Sequence, residues 1–493
     1  MLLPDDGQVV AAKNEVQRRP PDHVAAVFCT GGAQLAFIPA APFLSPGDNS
    51  WQLTAATFVG LQSIPGLAIL YGGLVKRKWA VSSALMAIYA FAAVMVVWVL
   101  AGFNMGFGHP LLGSVVGIPQ PVLNALTEEG QASIPLLKGL MPPFAFPQSS
   151  LVYFQFVFAA IAPIILAGAI FGRMNLRAWM IFVPVWSLLV YSVNAFMIWG
   201  GGWLSQLGVV DYSGGYVIHV AAGISGFVAA LVVGPRIVKD QRDFKPNNML
   251  LAVAGAGILW LGWNGFNGGD PYFANADAAA AVLNTNLATA VALLSWFFLD
   301  MMVNRKLSMV GAINGMICGL VAITPAAGYV DGTGAILVGL FGAVIPWFTM
   351  NRLNEKWPFR KADDTLGVVH THFMAGAVGG VMVGLIAAPS MVVYLGVHGA
   401  GVSVGGLLSG NAHQLLVQVF GLLVVTVYSG AMTFGILKAI ALVVPLRMTE
   451  RELDGGDRLI FNEEVFELHH PIPPPEPAEI PSEIGGRQAP AMG

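Results

Sequence analysis

Two stretches of this chain, DYSGGYVIHVAAGISG (211–226) and DDTLGVVHTHFMAGAVGG (363–380), each place a histidine eight residues after an aspartate. The pairs are Asp211 with His219 and Asp364 with His372. Small residues then recur in the same register: Ala222, Gly223 and Gly226 match Ala375, Gly376 and Gly379. The stretches therefore form an internal repeat. Both lie in apolar sequence, where an ionisable side chain is costly and indicates a substrate or proton path.

The composition around this repeat excludes a water-soluble globular protein. Of 493 residues, 56% are apolar and only 10% are charged, whereas soluble domains carry about 25% charged residues. We therefore predict an all-α polytopic membrane protein. A net charge of −3 does not indicate a nucleic-acid partner, and two cysteines do not indicate a disulfide or metal framework. No cofactor is predicted.

Membrane-spanning helices are marked by windows of about 20 apolar residues. Eleven occur, near 52–74, 80–106, 151–171, 178–199, 214–234, 249–268, 279–303, 308–327, 333–350, 366–388 and 413–446. Between the first and the last, fifteen basic residues fall in alternate loops, and the other loops hold only Lys138. Basic loops stay cytoplasmic. We therefore predict an outside N-terminus for the first span and a cytoplasmic tail after Arg447.

This orientation gives the repeat a geometry. His219 lies in a span that runs inward and His372 in one that runs outward, so spans one to five and six to ten are predicted inverted repeats, followed by a final long helix. Transporters of this architecture bind substrate near the midplane, where the repeats meet. Eight residues of helix measure roughly 12 Å, which places each histidine about mid-membrane. The small residues after it favour close helix approach.

The chain ends are predicted to lie outside the membrane domain of 51–446. Residues 1–50 form an N-terminal extension, predicted to be a signal peptide, with a mis-assigned start followed by an extra helix as the alternative. Residues 447–493 form the tail, whose run PIPPPEPAEIP (471–481) predicts partial disorder.

Longer motifs surround the repeat. They are PGLAILYGGLVKRK (65–78), FQFVFAAIAPIILAGAIFGRM (154–174), GWNGFNGGDPY (262–272) and GAINGMICGLVAITPAAGYV (311–330). With these motifs in this order, the chain resembles the Amt/Mep/Rh ammonium transporter family over about residues 51–450. The GGDPY, HTH and PLRM segments look most like the plant type-2 ammonium transporters and their microbial relatives. The resemblance implies passage of ammonium or ammonia through a bilayer, in a homotrimer, at the cell (plasma or inner) membrane.

Two imidazoles in an apolar pore fit the discharge of ammonium. Burying an unpaired cation costs several kcal/mol, whereas histidine can accept a proton near neutral pH. Potassium has no proton to give up, so deprotonation discriminates against it. The resemblance assigns His219 and His372 to the twin-histidine site of the family. The alternative is that each histidine only bonds a neighbouring helix.

The resemblance also implies a mouth and a gate. Trp199 and Phe154 would lie at the outer mouth, where an aromatic face attracts a cation. The alternative for Trp199 is an ordinary position in the belt of aromatic residues at the membrane–water interface. Phe154 and Phe266 would stack to close the pore above the histidines, with Trp263 lining it. The alternative for both phenylalanines is ordinary helix packing. Asp270 stands where many members carry serine. It either adds charge for recruitment or caps the Asp-Pro turn.

Three residues near the site are expected to be structural. Asp211 and Asp364 are placed to cap the helices that carry the histidines. On a helix, His370 points about 200° away from His372. We therefore predict that His370 makes a helix contact, and a second proton-accepting position is the less favoured alternative. We predict no metal site there. The tail reads IFNEEVF (460–466) where the family has another ending, so no regulatory partner is predicted there.

Three rival functions remain to be weighed. An ammonium sensor needs an output domain, and only about 45 residues follow the last span. A membrane enzyme needs a nucleophile, cofactor motif or carboxylate pair beside the histidines, and none accompanies them. A channel for another small neutral gas or a methylated amine would use the same pore, and the sequence leaves that alternative open.

Overall fold

The computed structural model describes residues 41–242, 244–393 and 402–465. Within these ranges, ten helices are long and apolar enough to cross a membrane, and an eleventh apolar helix is shorter. They are α1 (Pro46–Leu74), α2 (Arg77–Phe107), α3 (Gln148–Ala167), α4 (Leu176–Leu207), α5 (Gly215–Val233), α6 (Met249–Gly268), α7 (Ala276–Asn304), α8 (Met309–Ile323), α9 (Gly332–Leu353), α10 (Val369–Ile386) and α11 (Ala412–Ile440). The predicted all-α polytopic class is confirmed, although α8 is shorter than the predicted eighth span.

Short elements connect these helices or follow the last of them. They are the helices Ala125–Glu129, Val238–Arg242, Glu450–Gly455 and Asp457–Phe461, the 3₁₀ turns Pro135–Leu137, Phe359–Lys361 and Leu407–Ser409, and the antiparallel strands β1 (Val392–Val393) and β2 (Val402–Ser403). The first helix starts at Pro46, earlier than predicted, because the Ser45 hydroxyl accepts the Asp48 N–H at 3.3 Å. Residues 1–40 of the predicted signal peptide and residues 466–493 of the tail lie outside the described ranges.

The two repeats meet through reciprocal backbone contacts. On the α5 side, Tyr212 and Ser213 donate to the carbonyls of Pro325 and Thr324, just after α8, at 3.2 and 3.1 Å. On the α10 side, Thr365 and Leu366 donate at 3.2 Å each to Ala169 and Gly168, just after α3. Each pair of donors directly follows the repeated aspartate. The half-loops that start α5 and α10 are therefore held in the same way by opposite repeats, as expected for inverted repeats.

The helices α5 and α10 then cross closely through glycines at equivalent positions. A Cβ added to Gly223 would lie 2.4 Å from the backbone nitrogen of Phe373, and one added to Gly376 would lie 2.8 Å from the carbonyl oxygen of Gly215. Both glycines follow their histidine by four residues. The small-residue register of the repeat thus brings two backbones together beside the histidines.

This crossing predicts a stability effect. Gly223→Ala is expected to lower the free energy of unfolding of the purified protein by about 1–3 kcal/mol, because the new methyl group must push apart two backbones. Its melting temperature should fall accordingly. Gly257→Ala is the matched control, since Gly257 in α6 has open space around its Cβ position and alanine favours helix there. Equal melting temperatures for the two variants would contradict the close crossing.

Candidate functional site

The two histidines meet at the interface between the repeats. Their Nδ1 atoms lie 3.3 Å apart, and their rings stack at a centroid distance of 5.3 Å. His219 is fully buried and His372 is 8% exposed. At this distance a hydrogen bond between neutral imidazoles requires that one Nδ1 carry the hydrogen and the other accept it.

Both histidines lie in π-helical turns, a feature that the sequence analysis missed. The turns are Gly215–Val220 at the start of α5 and Val369–Met374 at the start of α10. Such wide turns are frequent at functional sites. No simple apolar periodicity predicts them, so the only available signal was the repeat itself, which places both histidines eight residues after the aspartate.

A stack of aromatic rings rises from the histidine pair. Trp263 and Phe266 of α6 lie over His219, with centroid distances of 5.5 and 5.9 Å and near-parallel planes. The Trp263 indole donates to the Thr324 hydroxyl at 2.9 Å, which fixes the ring. Rings of this kind offer a cation no hydrogen bonds to replace those of its water shell.

The structure shows that Phe266 pairs with a different phenylalanine of α3 than the one predicted. Phe158, one turn after Phe154 on α3, contacts Phe266 at a centroid distance of 4.6 Å. Phe154 instead packs on Phe158 at 4.9 Å and touches Gly269. The error arose because the FQFVF segment holds three phenylalanines, and the sequence alone does not distinguish the two that share a helix face four residues apart.

A cavity of about 470 Å³ lies above these rings. Its lining includes Trp199, Asp211, Asp270 and Tyr272, whereas Phe154 is not among its lining residues. The Trp199 indole donates to the Asp211 carbonyl at 2.7 Å, and its ring edge meets Phe158 at 6.3 Å. The cavity therefore joins the candidate mouth residues to the aromatic stack.

Asp211 caps α5 through both carboxylate oxygens. It accepts the N–H groups of Gly214, Gly215, Tyr216 and Val217 at 2.6–3.0 Å. Asp364 accepts the Val369 N–H at 2.7 Å in the equivalent place before α10. These contacts satisfy N–H groups that a helix start leaves without partners, and they fix the turn that aims each histidine.

His370 faces away from the pair. Its Nδ1 lies 3.0 Å from the Thr349 hydroxyl, its Nε2 lies 3.2 Å from the Asn354 side-chain oxygen, and its ring packs against Phe359. These neighbours belong to α9 and the loop after it. The geometry is that of a helix contact.

Arg173 is a buried residue whose role the sequence analysis missed. Its guanidinium donates to the Gly234 carbonyl at 2.8 Å, to the Thr365 hydroxyl at 2.5 Å and to the carbonyls of Ala169, Phe171 and Asp363. It ties the loops after α3 and α5 to the loop before α10. The available signal was an arginine directly after the apolar run of α3.

Fold and site together define a multi-pass membrane protein with a buried histidine pair beneath aromatic rings, between two inverted repeats. Comparison with known proteins identifies the family. The model of the Ammonium Transporter Family matches residues 50–466, and this chain belongs to that family.

Individual relatives match over most of their length. The chain is 48% identical to Ammonium transporter 3 member 3 of Oryza sativa subsp. japonica, with 87% of this chain and 92% of the relative covered. It is 49% identical to Ammonium transporter 2 of Arabidopsis thaliana, with 89% and 92% covered. Among solved structures, Saccharomyces cerevisiae Mep2 superposes with a TM-score of 0.73 at 28% identity, with 83% of this chain and 89% of that chain covered.

Proposed function

We propose that this protein carries ammonium across a membrane by capturing the cation, removing its proton and conducting ammonia past the histidine pair. The observation that carries the proposal is the 3.3 Å contact between the His219 and His372 Nδ1 atoms at the foot of an aromatic-lined passage. Membership of the Ammonium Transporter Family, with relatives of about half-identical sequence, supports the same substrate.

The proposed route has three steps. Ammonium enters the cavity beside Trp199 and Asp270, where a ring face and a carboxyl group attract it. The rings of Phe158 and Phe266 then strip its water, and the naked cation transfers its proton to an imidazole of the His219–His372 pair, leaving ammonia. Ammonia passes Trp263 and the histidines, whose shared hydrogen can shift from one ring to the other as a proton arrives. The histidines act in proton handling, and no covalent chemistry is required.

The finer assignments are also proposals. The basic loops support an outside start of α1 and a cytoplasmic tail at the plasma or inner membrane. The homotrimer is carried over from the resemblance to the family. Methylated amines would fit the same passage and belong in the test.

Currents and uptake measured on purified protein in liposomes would test the proposal. Gradients of ammonium, methylammonium and potassium are applied in turn, with protein-free liposomes as the control. We expect ammonium uptake, weaker methylammonium uptake and no potassium flux. Potassium flux equal to ammonium flux, or no ammonium uptake, would overturn the proposal.

A further prediction concerns Trp199. Trp199→Leu is expected to raise the half-saturation concentration for ammonium roughly fivefold to thirtyfold, since a tryptophan face attracts a cation by about 1–2 kcal/mol. Trp203→Leu is the control, because Trp203 packs on Phe420 at 6.0 Å and is not among the cavity-lining residues. An equal effect of both changes would assign Trp199 to packing alone.

A further inference from the structure

The final helix, α11, reaches the wall of the cavity above the aromatic rings, here called the outer cavity. Gln418 of α11 is fully buried. Its side-chain amide pairs with both backbone groups of Val210: Oε1 accepts the Val210 N–H at 2.8 Å, and Nε2 donates to the Val210 carbonyl at 2.8 Å. Val210 directly precedes Asp211 and lines the outer cavity. A side chain of the helix outside both repeats therefore fixes the segment that leads into α5.

The Gln418 amide uses all of its hydrogen-bonding capacity. Its second Nε2 hydrogen is donated to the Gly380 carbonyl of α10 at 3.2 Å, and Oε1 also accepts the side-chain amide of Gln414, one turn earlier on α11, at 3.3 Å. An amide offers two donors and two acceptor positions, and a buried polar network with every position filled holds its members in one arrangement. Gln414 in turn donates to the Gly208 carbonyl at 3.0 Å. The two glutamines thus hold residues 208–210 along one wall of the outer cavity.

The segment that Gln418 holds in turn sets the position of Trp199. The Trp199 indole donates to the Asp211 carbonyl at 2.7 Å, one peptide beyond the Val210 carbonyl. Without the Gln418 amide, the Val210 N–H and carbonyl would each lose a partner, and the segment would shift to replace them because an unpaired polar group away from water is costly. Asp211 would shift with it, and Trp199 would lose the acceptor that orients its ring.

The equivalent half-loop of the other repeat is held in a matching way. Asp363 directly precedes the capping Asp364, as Val210 precedes Asp211, and its carbonyl accepts a hydrogen bond from the buried Arg173 guanidinium. In both repeats a buried side chain therefore donates to the carbonyl before the aspartate. At the outer cavity this donor is a neutral amide, which adds no positive charge. A neutral donor suits a cavity that receives a cation.

We infer that Gln418 is a positioning residue for ammonium capture, and that Gln414 supports it. Gln418 is not among the described residues that line the outer cavity, so it acts through Val210 and Asp211 on Trp199. The inference rests on the proposed function, because it requires that ammonium be captured beside Trp199. It gives α11, the helix outside the two repeats, the task of keeping the wall of the outer cavity in the shape that binds the cation.

A double-mutant cycle tests this assignment through the kinetics of ammonium uptake into liposomes. Gln418→Met keeps a side chain of similar length but removes all four hydrogen bonds of the amide. Alone, it should raise the half-saturation concentration by up to the roughly fivefold to thirtyfold expected of Trp199→Leu. Added to Trp199→Leu, it should raise it little further, because changes that act through one contact are not additive. A residue that only stabilises the fold would instead lower the maximal rate and leave the half-saturation concentration unchanged.

Thr433→Val is the matched control on the same helix. The buried Thr433 hydroxyl accepts the Trp186 indole at 3.1 Å and donates to the Ser225 hydroxyl at 2.7 Å, and these three residues are not among those that line the outer cavity. The change should lower the melting temperature and keep the wild-type half-saturation concentration. Gln414→Met, which removes the contact with the Gly208 carbonyl, should raise the half-saturation concentration by roughly twofold to tenfold.

Contrary outcomes are distinct from one another. A wild-type half-saturation concentration in Gln418→Met, an equal rise in Thr433→Val, or a factor as large in the Trp199→Leu background as in wild type would overturn the inference. If Gln418→Met is not recovered as folded protein, Gln414→Met in the same cycle with Trp199→Leu decides between the same results. Normal wild-type uptake with any of these outcomes leaves the proposed function standing, whereas a wild type without ammonium uptake would overturn both that function and the inference that rests on it.

Discussion

His219→Ala or His372→Ala is expected to reduce ammonium uptake by roughly a hundredfold, the usual contribution of a positioned proton-transfer group. Either change removes one of two Nδ1 atoms that lie 3.3 Å apart, so the remaining imidazole has no partner with which to share a proton. Residual flux should discriminate poorly between ammonium and potassium, because discrimination depends on deprotonation. Uptake and potassium current in liposomes measure both effects.

His370→Gln is the matched control for these variants. His370 is as deeply buried as its neighbour two residues later, but its ring bonds Thr349 and Asn354. Glutamine can keep a hydrogen bond there, so uptake and selectivity should stay close to wild type. If either pair variant retained normal uptake together with normal rejection of potassium, the histidines would be packing residues and the proposed mechanism would fail.

The sequence predicted those features that repeat at a fixed offset. Asp211 with His219 and Asp364 with His372 stood out because inverted repeats preserve spacing, and the structure shows equivalent caps and equivalent crossings at both places. Span positions followed from the length of apolar windows, since only a helix of about 20 residues satisfies its backbone across a bilayer. The same rule misjudged α8, whose window continues into the buried turn after Ile323.

Features that depend on contacts between distant segments were beyond the sequence. The choice between Phe154 and Phe158 depends on where α6 passes α3. The burial of Asp270 beside Ser213 depends on how the start of α5 meets the end of α6. Arg173 bonds residues from three separate loops. Local spacing carries no information about any of these, so the resemblance to a family was needed to suggest the mouth and gate at all.

Phe266→Ala is expected to admit water and potassium and to impair selective ammonium transport. The Phe266 ring lies between Phe158 and His219, with centroid distances of 4.6 and 5.9 Å. A phenylalanine ring buries roughly 150–250 Å², so its removal opens a space that joins the outer cavity to the histidines. A hydrated cation in that space keeps its water and its proton. Osmotic water permeability and potassium leak of liposomes would reveal the open path.

Phe158→Ala and Phe154→Ala separate a gate from general packing. All three phenylalanines are fully buried, and each truncation should destabilise the protein by a similar 3–5 kcal/mol or so. Loss of stability therefore cannot explain a difference in leak. Phe158→Ala should leak as Phe266→Ala does, because both rings form the same contact. Phe154→Ala should stay tight, because that pair remains intact beneath it. A leak in Phe154→Ala as large as in the other two, or a tight Phe266→Ala, would show that the contact between Phe158 and Phe266 does not close the passage.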